Sequence, residues 1–168
     1  MSRRRAFTLI ELLVVISIIG LLSTVAVIAS NSARSQSRNT KRIADVRQLA
    51  QAFYLGYNAT GSYPATATPS CISATCTGAW STFTANGTVD SFISPYIPTK
   101  ITDPTDSVRP YGGYVYNGSW SGGTGFDGYF PPDAHIGYDL EGAAGCGSGR
   151  IWLQSAVRTE CILPLNQL

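Results

Sequence analysis

The side chains able to do chemistry are few and unevenly spread. Glu11 is a lone carboxylate in the 25-residue run 6–30, which holds no other charged side chain. A carboxylate in apolar surroundings is costly unless a cation or a set of donors meets it. On insertion scales the cost is about 3 kcal/mol at mid-bilayer and less near an end. Four thiols, Cys71, Cys76, Cys146 and Cys161, all follow that run. An even number in a polar, exported region favours two disulfides. Three pairings are open, and sequence order favours Cys71–Cys76 and Cys146–Cys161 because each closes a short loop. Zinc is the rival, but neither spacing is that of a zinc knuckle and His135 is the only histidine. Asp103, Asp106, Asp127 and Asp133 offer hard oxygens of the kind calcium takes. They show no regular ligand spacing, and aspartates in Pro/Gly-rich turns are more often turn formers. No metal and no cofactor is therefore expected. His135 has no visible triad partners, and there is no Gly-rich phosphate loop, nucleophile elbow or paired acid/base set. The chain is expected not to be an enzyme.

The run around Glu11 is the element that must position it. At about 1.5 Å per residue, a helix over 6–30 crosses a hydrocarbon core about 30 Å thick. Arg3, Arg4 and Arg5 precede it. A secretory signal peptide has an apolar core of only about 7–15 residues followed by an Ala-x-Ala-like site. This run is longer, and 23–30 offers no convincing site. An ordinary signal anchor fits the length but leaves the glutamate near its start unexplained.

The segment Arg3-Arg4-Arg5-Ala6-Phe7-Thr8-Leu9-Ile10-Glu11-Leu12-Leu13-Val14-Val15-Ile16 accounts for both features. It resembles the class III signal of type IV pilins and of the pseudopilins of type II secretion. The resemblance implies that a basic leader, residues 1–6, stays in the cytoplasm. A membrane prepilin peptidase then cuts between Ala6 and Phe7 and methylates the new amine of Phe7. It also implies that Glu11 pairs with the N-terminal amine of a neighbouring subunit and sets axial register during assembly; the plainer reading is that Glu11 snorkels to the headgroups. Ala6 stands where the family usually has glycine, and Ile28 where many pilins have a kinking proline.

Beyond the apolar run the chain stays compatible with helix. No proline occurs before Pro64, and Gly20 is the only glycine between Phe7 and Leu55. Ile43, Val46, Leu49, Ala50, Phe53, Tyr54 and Tyr57 recur at steps of three and four, one face of a helix. Gly56 and the run 58–64 supply stop signals. The expected organisation is a leader over 1–6, a transmembrane or filament-core helix over 7–30, an amphipathic helix over 31–57, and an extracytoplasmic head over 58–168. The stretches 113–117, 135–141, 150–153 and 160–163 read as strands, and Asn117-Gly118 as a turn. The expected fold is α+β: a long N-terminal helix packed on a small antiparallel sheet, pilin-like in the light of the resemblance. The segment 89–96, with Ile97-Pro98 and Asp103-Pro104, resembles the helix and Asp-Pro stretch of small pilins and major pseudopilins.

Charge excludes a bulk nucleic-acid binder. Net charge is +2, and without Arg3, Arg4 and Arg5 nine basic side chains face ten acidic ones. Arg34, Arg38, Lys41, Arg42 and Arg47 form a stripe at helical spacing, read as a solvated face or as contacts to headgroups and neighbouring subunits. DNA is an unfavoured partner for it. The basic residues on both sides of the apolar run leave orientation open by charge count; the resemblance puts the N-terminus inside. Asn58, Asn86 and Asn117 begin Asn-x-Ser/Thr sequons read as chance matches. Tyr111, Tyr114, Tyr116, Tyr129 and Tyr138 with Trp120 are read as core or subunit packing ahead of a sticky patch. The expected function is a structural subunit of a type IV pilus-like surface filament, a helical homo-oligomer built by its assembly machinery from the cytoplasmic membrane. Alternatives are a pseudopilin of a secretion system and a membrane-anchored binding protein that never polymerises.

Overall fold

The computed structural model describes residues 7–104 and 111–167. The chain divides into two compact units, Met1–Ser37 and Arg38–Leu168. Helix α1, Leu9–Thr60, contributes to both.

In the first unit α1 is predominantly apolar from residue 9 to 29 and polar from 30 onward, and every described residue from Phe7 to Arg34 is exposed. The three hydroxyls in its apolar stretch are satisfied within the helix. Ser17 donates to the Leu13 carbonyl at 2.8 Å, Ser23 to Ile19 at 2.7 Å and Thr24 to Leu21 at 2.7 Å. Such internal pairing is what a helix in hydrocarbon requires. The helix is long and apolar enough to cross a membrane.

The second unit starts with the polar end of α1 and adds a sheet. Strands β1 (Ser70–Cys71), β4 (Tyr114–Trp120), β7 (Asp133–Glu141), β8 (Arg150–Gln154) and β9 (Arg158–Pro164) form an antiparallel sheet in the order β1-β4-β7-β9-β8. β2 (Thr77–Gly78) pairs with β3 (Tyr111–Gly112), and β5 (Gly123–Gly125) with β6 (Gly128–Phe130). A short helix α2, Gly87–Ile93, begins on Asn86, whose side chain accepts the Thr88 N–H at 2.9 Å. That is N-cap chemistry and explains why this Asn-Gly opens a helix.

Alternation builds the core. Register places Tyr114 opposite Tyr138 and Tyr116 opposite Ile136, then Ile136 opposite Leu163 and Tyr138 opposite Cys161. One face of the pleat thus carries these residues, and all are buried. Against them α1 sets Val46, Leu49, Ala50 and Phe53, with Phe53 stacked on Tyr116 at 4.5 Å between centroids. Tyr114, Tyr116 and Tyr138 are therefore core and not a surface patch, while Tyr129 is exposed.

Three sequence expectations change. Tyr54 and Tyr57 are exposed; Ala52 and Gly56 take the buried positions instead. Gly56 sits so close to the Phe92 ring that a Cβ there would meet it at 2.5 Å. The helix continues to Thr60 and stops at Gly61, whose φ of +80° glycine adopts readily, its N–H reaching the Tyr57 carbonyl at 2.7 Å. Asn117-Gly118 is not a turn; it lies inside β4, where the pairing with β7 shifts register.

The basic stripe is largely spent inside this unit. Arg42 is 0% exposed. Its Nε meets Asp103 Oδ1 at 2.8 Å and its Nη1 meets Glu141 Oε1 at 2.7 Å, while Nη2 donates to the Pro104 carbonyl. Arg38 grips the same Glu141 with both arms, at 2.6 and 2.5 Å. Asn39 exchanges two hydrogen bonds with the Glu141 backbone, each 2.9 Å. Asp103 Oδ2 accepts the Gly113 N–H at 2.7 Å. Two cations and two anions thus bind α1 to the end of β7 and to the segment before β3. Lys41 pairs with Asp45 at 2.8 Å, which also accepts the Tyr114 hydroxyl. Arg34 and Arg47 remain exposed.

Two disulfides close the unit, Cys71–Cys76 and Cys146–Cys161. The second bridges 15 residues, for which loop-closure arguments give about 3 kcal/mol. The β5–β6 hairpin covers the edge strand β8, with Phe126 and Asp127 N–H groups donating to Trp152 and Ile151 carbonyls at 2.8 and 3.0 Å. A covered edge resists pairing with foreign strands.

Removing one member of a buried ion network leaves the others uncompensated. Arg42→Ala is expected to lower the unfolding free energy of this unit by about 3–5 kcal/mol. Urea unfolding of the full chain in detergent, followed by near-UV circular dichroism, measures it. Arg34→Ala in the same assay is expected to change it by less than about 0.5 kcal/mol.

Candidate functional site

The N-terminal site is built on the first turn of α1. Thr8 precedes the helix and Glu11 lies three residues on, a Thr-x-x-Glu capping box. The Thr8 N–H and hydroxyl both donate to Glu11 Oε2, at 2.8 and 2.6 Å. Thr8 Oγ1 accepts the Glu11 N–H at 3.3 Å. Two otherwise orphaned groups at the helix start are thereby satisfied, and the carboxylate sits at the positive end of the helix dipole. Both side-chain bonds fall on Oε2; no described residue donates to Oε1. Thr8 was not among the residues expected from sequence to matter, although the capping-box spelling was there to read.

Phe7 is 73% exposed and shares a shallow hollow with Ile10, Glu11, Val14 and Val15. Ala6, and with it the expected leader 1–6, lies outside the described residues. What this turn can do chemically is present an oriented carboxylate within an apolar surface. A cation delivered to Oε1 would find a rigid acceptor. Anything else docking there would need an apolar face.

The remaining candidates do not converge. Asp103 is engaged by Arg42 and Gly113. Asp127 accepts the Ile151 N–H, and Asp133 accepts the Asn166 N–H at 3.2 Å. Asp106 lies outside the described residues. Among the described residues no group of three or more His, Cys, Asp and Glu is placed to hold a metal.

His135 has a packing role. It is 9% exposed, and its ring meets Trp120 edge-on at 4.6 Å. Trp120 in turn touches Trp152 at 5.3 Å and Phe130 at 6.0 Å. Burial among these rings pushes the imidazole from its ordinary 6.5 down to about 4, with the Asp133 carbonyl opposing weakly.

Comparison with known proteins adds one finding. Residues 1–27 match the prokaryotic N-terminal methylation motif. That motif is the class III signal of type IV pilins and pseudopilins, and it implies handling by prepilin peptidase. No curated protein and no solved structure matches the chain.

The depressed His135 pKa has a testable consequence. The folded state holds the imidazole neutral while the unfolded state protonates, so stability is complete above pH 6.5 and is lost as pH falls toward about 4. His135→Gln removes this proton uptake. The difference in unfolding free energy between the two chains is expected to change by at most about 1.4 kcal/mol per pH unit across that window and to be flat above it. Denaturant unfolding at a series of pH values measures the slope.

Proposed function

We propose that this chain, which bears the class III signal of type IV pilins and pseudopilins, is a non-enzymatic structural subunit of a type IV pilus-like surface filament. Prepilin peptidase cuts between Ala6 and Phe7 and methylates the Phe7 amine. The subunit waits in the cytoplasmic membrane with its N-terminus inside, then polymerises through the N-terminal helix into a helical homo-oligomer. The unit from Arg38 onward is carried outside. The assembly machinery draws the subunit from the bilayer.

One observation carries the proposal. Residues 9–34 of α1 bury nothing within their own chain, yet their single carboxylate is held in a fixed orientation by Thr8. A plain anchor has no use for an oriented carboxylate, since snorkelling needs only a flexible stem. A stack of identical helices does. Cleavage supplies each neighbour with a new amine on Phe7, and Glu11 Oε1 supplies its acceptor. Between packed helices in a water-poor core, such a pair favours one register over its neighbours, because a shifted register leaves a charge uncompensated.

Replacing Glu11 separates assembly from anchoring. Glu11→Val is expected to leave membrane insertion intact and to reduce surface filaments at least tenfold, counted by electron microscopy of sheared material against subunit in the membrane fraction. Unchanged filament numbers would favour the plain anchor.

A further inference from the structure

A cleft opens at the C-terminal end of α1, away from the residues that the assembly reading uses. It has a volume of about 460 Å³ and is lined by Tyr57, Ser62, Tyr63, Trp120, Asp133 and Asn166 among others. A second hollow of about 310 Å³ adjoins it, sharing Tyr57, Tyr63 and Asn166. We infer that this cleft is a binding site for a neutral saccharide, stacked on its aromatic walls and hydrogen-bonded to Asp133 and Asn166.

The lining has the two chemistries that a sugar ring presents. The C–H faces of a pyranose are apolar and pack on aromatic faces, and its hydroxyls need planar polar groups around the edge. Tyr57 and Tyr63 stand 4.8 Å apart between centroids, tilted by 35°. Trp120 is fixed from behind by Trp152 and His135, which meet it edge-on. The Tyr63 hydroxyl is tied to the Leu165 carbonyl at 3.2 Å, which sets its ring. Walls held this way lose little freedom on binding.

Asp133 and Asn166 provide the polar edge. Asp133 Oδ2 accepts the Asn166 backbone N–H at 3.2 Å. Asp133 Oδ1 is shielded from water and has no hydrogen-bond partner among the described residues. The carboxylate lines the cleft, and Oδ2 keeps lone-pair capacity beyond the Asn166 N–H with which to accept a ligand hydroxyl. Burial holds the Asp133 carboxyl above its usual range, opposed by the backbone N–H groups of Asn166 and Ala134.

Charge selects among sugars. Among the described residues Asp133 is the only ionisable acid or base at neutral pH in either lining, and the carbonyl end of α1 lies at Tyr57 and Gly61. Both are negative, so acidic sugars, phosphates and nucleic acid are disfavoured.

The test is an array of immobilised oligosaccharides, half neutral and half sialylated, probed with the full chain in lauryldimethylamine oxide, a detergent with no sugar headgroup. Binding is read without polymerisation, so it fails or succeeds apart from the filament reading. Neutral glycans are expected to retain the protein at least ten times better than sialylated ones. Tyr57→Ala and the isosteric Asp133→Asn are each expected to weaken retention at least tenfold without lowering the unfolding midpoint. Retention of no neutral glycan, equal retention of sialylated ones, or retention unaffected by both substitutions would overturn the inference.

Discussion

Residues 9–34 of α1 bury no side chain within their own chain, and from 9 to 29 most of those side chains are apolar. Water is a poor solvent for such a surface at about 25 cal/mol per Å², so something other than this chain must cover it. Lipid is one cover and identical helices are another. Both demand that backbone and hydroxyl groups be satisfied within the helix, which Ser17, Ser23 and Thr24 achieve. The one charged group in the apolar run is Glu11. The capping box with Thr8 lets its carboxylate be tolerated in either setting while keeping Oε1 available.

The unit from Arg38 onward solves a different problem. It must hold a helix to a sheet with a core of modest size, and much of its chain is Gly- and Pro-rich. Apolar contact through Val46, Leu49 and Phe53 does part of this. Arg42 does the rest by reaching three separate places at once: Asp103, the Pro104 carbonyl and Glu141. Buried charge pairs gain little net free energy over well-packed apolar groups, but they tolerate few alternative arrangements. The network therefore fixes which turn of α1 meets the end of β7. With Asn39 and Arg38 on the same strand end, it specifies alignment more than it adds stability.

Much of this was readable in the sequence. The motif at 3–11, the long helix, four strand cores and the two short-range cysteine pairs are all local signals, and local signals survive without tertiary context. What escaped notice was set by partners far along the chain. Arg38 and Arg42 read as a solvated face because their carboxylates lie about 60 and 100 positions away, at Asp103 and Glu141. Tyr54 and Tyr57 fit the apolar period, but Arg42 and Asn39 belong to the buried stripe and rotate it toward Gly56 and Phe92. Asn117-Gly118 has the spelling of a turn, yet β7 pairs across it with a register shift. The capping box is a local signal, spelled by Thr8 and Glu11 three residues apart. The aromatic cleft could not be read at all, since Tyr57, Trp120 and Asn166 meet only once the sheet forms.

The central claim is that the run beginning at Phe7 is a processed assembly helix and not a fixed anchor. Mass spectrometry of sheared surface filaments tests it most directly. The account predicts a subunit whose first residue is N-methylated Phe7, with the leader 1–6 absent. An intact Met1, or a first residue beyond Ser23, would contradict it.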